Sequence, residues 1–240
     1  MVKIGVIGAG GRMGRMLIQA VAPGTNLELG MDFHFRKGDP TQNIFAKYYH
    51  SFAENKIAIE FYGVVAEHYA MSDSVRDERI ARDYNGKGFA FGDLYFSTLI
   101  QLVKDRKFPD TMSRIAGKTA SGNQLQAARF ADAPGYFFDF SFSKEYYCKN
   151  EKCSFRPFAS LGFYSWQTND ELNLQNDAYM YGLGGELKWS KWTVGNSLSG
   201  YSGYKKLRDK PMVYTFDLHR KIKHQTIRLQ YLYGAQFTIK

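Results

Sequence analysis

The part of the sequence with the clearest chemical potential is a glycine-rich turn near its start, Gly8-Ala9-Gly10-Gly11-Arg12-Met13-Gly14. A short apolar segment, Val2–Gly8, leads into the turn. The residues that follow at helical spacing are Met13, Met16, Leu17, Ala20 and Val21. A strand, a glycine turn and a helix together can hold a pyrophosphate, because glycines let the backbone approach and the helix N-terminus offers free N–H groups. The turn therefore predicts phosphate binding, although Met13 stands where G-x-G-x-x-G has its third glycine.

This turn resembles the N-terminus of dihydrodipicolinate reductase, an NAD(P)H-dependent enzyme, over residues 1 to about 30. The resemblance implies a cytoplasmic reductase whose cofactor pyrophosphate is lined by Gly8, Gly11, Arg12 and Met13. The catalytic stretch of that family has adjacent histidines, a lysine and a Ser-Gly-Thr turn, whereas the five histidines here are isolated. We therefore keep the reductase as an alternative function and expect NAD(P)H only under that alternative.

Two other groups of residues could do chemistry. Asp217, His219 and Lys221 alternate with apolar residues, so they share one face of a predicted strand. The carboxylate of Asp217 and the imidazole of His219 would suit an enzyme acting on lipid or polysaccharide, but the sequence places no serine beside them to complete a catalytic triad. Cys148 and Cys153 flank a short loop, so they are either joined by a disulfide or are two free thiols. A zinc site is not expected there, because two cysteines alone do not supply enough metal ligands. We expect no metal site, assign no catalytic residue and lean towards a protein that is not an enzyme.

The elements that carry these residues have a period of two from Thr25 onward. Alternation is clearest from Pro211 to Ile239, with a polar break at Lys223-His224-Gln225. Because successive side chains of a strand point to opposite faces, the pattern predicts long strands that are apolar on one face. We expect an all-β domain over residues 25–240, after a Rossmann-like β-α fragment at residues 1–24 that does not form a complete domain.

The length of the predicted strands favours a membrane location. Many are longer than the five or six residues usual in soluble sheets, and about 9–11 residues cross a bilayer when a strand is tilted. The aromatic residues that suit a girdle at the membrane surface are Trp189, Trp192, Tyr231 and Tyr233. The alternation predicts an antiparallel up-and-down membrane β-barrel of about ten strands, in the range of about 8–12.

The end of the chain suggests where such a barrel would be inserted. Gly234, Phe237 and Ile239 resemble the C-terminal signal of outer-membrane barrels, so the chain from about residue 25 looks like a Gram-negative outer-membrane β-barrel. We expect a structural or narrow pore-like protein whose partners are the lipid bilayer and the barrel assembly machinery. Asp217, His219 and Lys221 are expected to face its lumen. Residues 1–22 do not read as a signal peptide, which makes export doubtful and suggests a chimera of two unrelated pieces.

Charge and local ambiguity complete the expectations. The formal net charge is +9, but the basic residues are spread along the chain, so we expect no nucleic-acid partner. Asn43–Phe52 could be a helix or a strand. Met71–Gly88 is predicted as a solvated loop, Phe89–Val103 as one long strand and Gln124–Phe130 as a weak strand.

Overall fold

The structure is a computed structural model, and it describes residues 2–6, 22–104, 107–127, 129–130, 134–149, 152–166, 177–203 and 210–236. It is dominated by β-strands with little helix. The strands are β1 (Val2–Val6), β2 (Thr25–Arg36), β3 (Asp39–Phe52), β4 (Ile57–Ala70), β5 (Lys87–Ala90), β6 (Leu94–Val103), β7 (Asp110–Lys118), β8 (Gly135–Ser143), β9 (Tyr146–Tyr147), β10 (Cys153–Trp166), β11 (Asp177–Trp189), β12 (Trp192–Gly203), β13 (Pro211–Ile222) and β14 (Gln225–Gln236). A short helix, α1 (Asp73–Glu78), and a 3-10 turn at Leu125–Ala127 complete the described elements.

All the described strands belong to one sheet, and the long ones pair with their neighbours in chain order. From β2 to β14 every pairing is antiparallel, which confirms the predicted all-β, up-and-down architecture. The described part of the chain has eleven long strands, which is within the predicted range of about 8–12, and the ambiguous Asn43–Phe52 lies within β3. The short strands β5 and β9 are additions that pair with β4 and β10.

The pairings return to their starting point and form a ring. On one side β10 pairs with both β8 and β11. On the other side β1 lies between β14 and β2 and runs parallel to both. The strand of the predicted N-terminal β-α fragment thus lies in the same sheet as the rest of the chain, and the predicted helix after it lies outside the described residues.

Connections differ between the two ends of the ring. At one end, which we call the short-turn end, hairpins are joined by residues 53–56, 104–109, 144–152, 190–191 and 223–224. At the opposite long-loop end, apart from the tight turn at 37–38, the connections are residues 71–93, 119–134, 167–176 and 204–210. A tight turn between Trp189 and Trp192 lies at the short-turn end.

The two faces of the sheet have opposite polarity. On the inner face of the ring, buried residues include Glu28, Asp32, Asn43, Arg114 and Asp139. On the outer face, every long strand exposes large apolar side chains, for example Leu183 at 60% and Tyr231 at 51%. A soluble sheet protein places its apolar face inward, so this ring has the reverse distribution.

Three predictions for the long-loop end are wrong. Phe89–Val103 is not one strand, because the Asp93 carboxylate turns inward to Lys118 Nζ at 2.8 Å and separates β5 from β6. Gln124–Phe130 is not a strand but contains the 3-10 turn, with Gln124 in the left-handed region at φ 62°. Met71–Gly88 is more than a solvated loop, since it forms α1 and buries Met71 and Val75.

No helix within the described ranges is long and apolar enough to span a membrane.

Candidate functional site

The inner face at the long-loop end is shaped by a β-bulge in β4. Phe45 pairs with Val64 and Ile44 pairs with Ala66, so Val65 is an extra residue on β4. Because a bulge shifts the alternation by one residue, the residues after it change faces. Val65 is exposed outward at 52%, whereas Glu67 and Tyr69 are buried on the inner face. The bulge therefore delivers a carboxylate and a phenol ring to the mouth of the ring.

Arg129, from the loop after β7, meets those residues. Its Nε donates to Glu67 Oε1 at 2.6 Å, and its Nη1 donates to Asp39 Oδ1 at 2.8 Å. The guanidinium also lies over the Tyr69 ring, with Cζ 4.9 Å from the centroid. Planar guanidinium groups suit such two-sided pairing with carboxylates. A buried arginine in a long loop is thus tied to β3 and β4 across 90 and 62 residues of sequence.

The segment between β4 and β6 completes this group, which we call the Arg129 cluster: Asp39, Glu67, Tyr69, Arg79 and Arg129. Arg79 Nη2 lies 2.9 Å from Asp39 Oδ2, so Asp39 has two cationic partners. An apolar cluster packs beside it and consists of Tyr69, Met71, Val75, Ala90, Ala127 and Phe130. The segment between β4 and β6 and the loop after β7 are therefore held against the inner face both by ion pairs and by apolar packing.

Deeper in the ring, oppositely charged side chains join neighbouring strands. They are Lys47–Glu60 (2.7 Å), Arg114–Asp139 (2.7 Å), Arg156–Glu186 (2.7 Å) and the group in which Arg228 lies 3.4 Å from Glu28 and 2.7 Å from Asp217. Arg114 and Asp139 are only 6% and 3% exposed. Removing one partner of a buried pair is costly because the other charge stays buried without compensation. The interior is therefore polar, yet occupied by paired charges.

A row of aromatic rings follows the inner face nearer the long-loop end. Successive ring centroids lie 5.0 to 6.3 Å apart through Phe45, Tyr62, Tyr95, Phe137, Tyr164 and Tyr201. Ala116 lies on β7 between Tyr95 and Phe137, and Ala178 lies on β11 between Tyr164 and Tyr201. Small residues on these intervening strands let rings from the strands on either side touch. Tilted and edge-on contacts of this kind stabilise aromatic groups beyond their burial.

The residues predicted to line the lumen lie together on β13. Asp217 Oδ1 is 2.7 Å from Arg228 Nε, 3.1 Å from Gln230 Nε2 and 3.7 Å from His219 Nε2. Lys221, nearer the short-turn end, is exposed. A carboxylate held by a guanidinium and an amide serves to fix neighbouring strands. This arrangement is suited to joining β13 to β14 rather than to moving protons.

The predicted cofactor-binding residues, Gly8, Gly11, Arg12 and Met13, lie outside the described residues. The same holds for Phe237 and Ile239 of the C-terminal pattern. Among the residues that the structure describes, no group of three or more His, Cys, Asp or Glu side chains is arranged to hold a metal ion.

The loop between β8 and β10, at the short-turn end, is joined by a disulfide between Cys148 and Cys153. Glu145 in this loop accepts a hydrogen bond from Ser154 Oγ at 2.7 Å and lies 3.4 Å from Lys188 Nζ. Burial by itself raises the pKa of Glu145, but the Ser154 hydroxyl and the Lys188 ammonium outweigh it and hold the pKa below its usual value. The loop is thus anchored to β10 and β11 by an ionised carboxylate.

Sequence reasoning missed the Arg129 cluster. The alternation of polar residues along β3 is enough to place Asp39 on the inner face. Alternation along β4 does not place Glu67 there, because the bulge at Val65 shifts the pattern by one residue. Nothing local marks Arg129, because its partners lie on distant strands. Asp139, in contrast, lies between Phe138 and Phe140, so local alternation alone places it on the polar face of β8.

No protein-family model matches the chain, and a search of curated proteins finds no match.

Proposed function

We propose that the chain is an outer-membrane β-barrel protein with a structural or narrow pore-like role. Its partners are then the lipid bilayer and, during insertion, the barrel assembly machinery. The proposal involves no cofactor, no metal and no nucleic acid.

One observation carries the proposal, namely the reversed polarity of the ring. Fully burying a large apolar side chain stabilises a protein by about 1.5–3 kcal/mol. Large apolar side chains are exposed on every long strand of this fold, so in water the stabilisation from burying each of them would be lost. The sum of these losses is large compared with the net stability of a typical protein, about 5–15 kcal/mol. Lipid removes the conflict, since the outer face meets acyl chains and the polar groups meet one another inside.

The interior supports a narrow rather than a wide pore. Paired charges and the aromatic row occupy the inner face, and the Arg129 cluster holds two long loops against the mouth. A polar interior of this kind suits water or small polar solutes. The same packing also suits a purely structural barrel.

The sharpest test compares two substitutions that are equivalent in water. Leu183, midway along β11, is 60% exposed, and Ile80, in the loop after α1, is 85% exposed. In water, replacing either by Arg changes stability by about 0.5 kcal/mol or less. In a bilayer, Leu183→Arg costs about 2–4 kcal/mol at the midplane, whereas Ile80→Arg costs nothing.

The measurement is the urea midpoint at which protein refolded into phosphatidylcholine vesicles loses its heat-modifiable migration on gels. A lower midpoint for Leu183→Arg alone supports the membrane barrel. Equal midpoints for both variants, or no heat-modifiable band for the wild-type chain, would contradict it. Stepwise conductance in planar bilayers would support the pore-like role, and its absence from fully inserted protein would support the structural one.

A further inference from the structure

The two ends of the ring differ strongly in charge. Among the described residues, the short-turn connections, taken with residues 220–222, contain ten Lys and Arg residues and two Asp and Glu residues. The described residues of the long-loop connections, with the turn at 37–38 included, contain seven basic and five acidic residues. Within the part of the chain that the structure describes, the short-turn end is therefore the more strongly basic of the two, with a net charge of +8 (10 − 2) against +2 (7 − 5). A basic rim of this kind attracts an anionic membrane surface.

A groove of about 500 Å³ lies at this basic end. Its lining combines cationic and apolar side chains and consists of Cys148, Lys149, Lys152, Cys153, Leu187 and Trp189. The disulfide closes the loop, and Cys148 N donates to the Cys153 carbonyl at 3.0 Å, so both lysines are carried on one short loop. Both lysines are exposed, and neither has a carboxylate partner among the residues that the structure describes.

The apolar wall of the groove belongs to the outer face of the ring. Trp189 is 65% exposed and Leu187 is 47% exposed. Trp189 pairs across the turn with Trp192, whose ring lies 4.9 Å from the Arg220 guanidinium. Tryptophan favours the boundary between acyl chains and headgroups, because one part of its ring system is apolar and its N–H can reach a polar partner. The groove therefore lies where lysine and lipid-facing surface meet.

We propose that this groove binds the headgroup of an anionic phospholipid, with the phosphate at Lys149 and Lys152 and the adjoining glycerol and acyl carbons against Leu187 and Trp189. Two ammonium groups supply the charge for a phosphate, and the apolar wall distinguishes a lipid from a free anion. The inference rests on the proposed membrane insertion and adds a preferred lipid and a place for it.

The experiment uses protein refolded into phosphatidylcholine vesicles that contain a fixed fraction of lipid with brominated acyl chains, either phosphatidylglycerol or phosphatidylcholine. Bromine quenches nearby tryptophan, and a Trp166→Phe background leaves only the two tryptophans of the short-turn end. The ratio of the two quenching affinities measures headgroup preference. One lysine near an anionic surface is worth about a fivefold preference, so we expect the ratio to be at least about five.

The test variant is Lys149→Gln with Lys152→Gln, and the matched control is Lys37→Gln with Lys87→Gln at the long-loop end, where both lysines are also exposed. We expect the test variant to lower the ratio by about fivefold, because the other basic residues of the rim remain, and the control to keep it. High salt should lower the wild-type ratio by screening the lysines. Inorganic phosphate, added while the ionic strength is held at that of the starting buffer, should leave the ratio unchanged.

The outcomes separate this inference from the function on which it rests. Protein that is not quenched by brominated phosphatidylcholine has not inserted, and the membrane proposal itself then fails. Inserted protein with a ratio near one overturns the inference alone. So does a test variant that keeps the wild-type ratio, a control that loses it equally, or inorganic phosphate that abolishes it.

Discussion

Replacing Arg129 by methionine should release the loop after β7 from the mouth of the ring. The change keeps a long side chain but removes the guanidinium that bonds to Glu67 and Asp39. Asp39 retains Arg79 at 2.9 Å, whereas Glu67 loses its ion pair among the described residues. Leaving one buried charge uncompensated costs about 3–5 kcal/mol. Because only the Glu67 carboxylate loses its cationic partner, we expect a cost at the lower end of this range, about 3 kcal/mol.

That cost appears as local opening of the loop. About 3 kcal/mol corresponds to about a hundredfold rise in the open population. Hydrogen exchange is a direct measure of it, because several loop amides have defined acceptors: Gly122 N bonds to Asp93 Oδ1, Asn123 N to the Phe91 carbonyl and Ala127 N to the Gln124 carbonyl. We expect their exchange to accelerate by about that factor in refolded protein, while the strand amides of β10 and β11 stay protected.

Two further variants make the reasoning specific. Arg79→Met removes a partly exposed pair and leaves Asp39 bound to Arg129, so its effect should be about fivefold or less. Adding Glu67→Gln to Arg129→Met removes the stranded charge and should restore most of the protection. The explanation is refuted if Arg129→Met leaves loop exchange unchanged, if Arg79→Met matches it, or if exchange rises equally in every strand. If the barrel is a pore, the same Arg129→Met variant should also raise its conductance.

Three other results are expected. Arg114→Met should lower the free energy of unfolding by about 3–5 kcal/mol, and adding Asp139→Leu should recover much of that loss in urea titrations; no recovery would contradict the burial argument. The folded-state pKa of Glu145 is lowered, so the stabilisation that its carboxylate provides is present above its unfolded-state pKa and is lost as pH falls through the folded-state pKa. The free energy of unfolding of Glu145→Gln should therefore be below that of the wild type at neutral pH. The two values should converge in acid. Replacing Cys148 and Cys153 by serine should cost about 2 kcal/mol, given the short loop that the disulfide closes, and reductant should then have no further effect on the unfolding midpoint.

Much of the sheet could be predicted because alternation is a local property. The hairpin predicted from Pro211 onward appears as β13 and β14 with the break at the expected residues. The ten residues after Asn26 alternate without interruption, and this local pattern predicts most of β2. The polarity of each face followed directly, since a strand cannot place neighbouring side chains on the same side.

What could not be predicted depends on distant contacts or on departures from the period. The bulge at Val65 adds a single residue, and the sequence around it alternates acceptably in either frame. Arg129 is fixed by carboxylates on β3 and β4, which no local pattern connects to it. The apolar composition of Phe89–Val103 predicts one strand, yet Asp93 breaks it to reach Lys118. These residues make up much of the candidate site, so the site was less predictable than the sheet.

The parallel position of β1 has a consequence for the order of folding. Hairpins from β2 to β14 join residues that are near in sequence, so they can form early and at little cost in chain entropy. Closing the ring is different, because β1 must pair with β14 as well as with β2, and the Glu28–Arg228 pair across that seam joins residues 200 positions apart. The seam should therefore be the last part of the ring to form and the step that limits its rate.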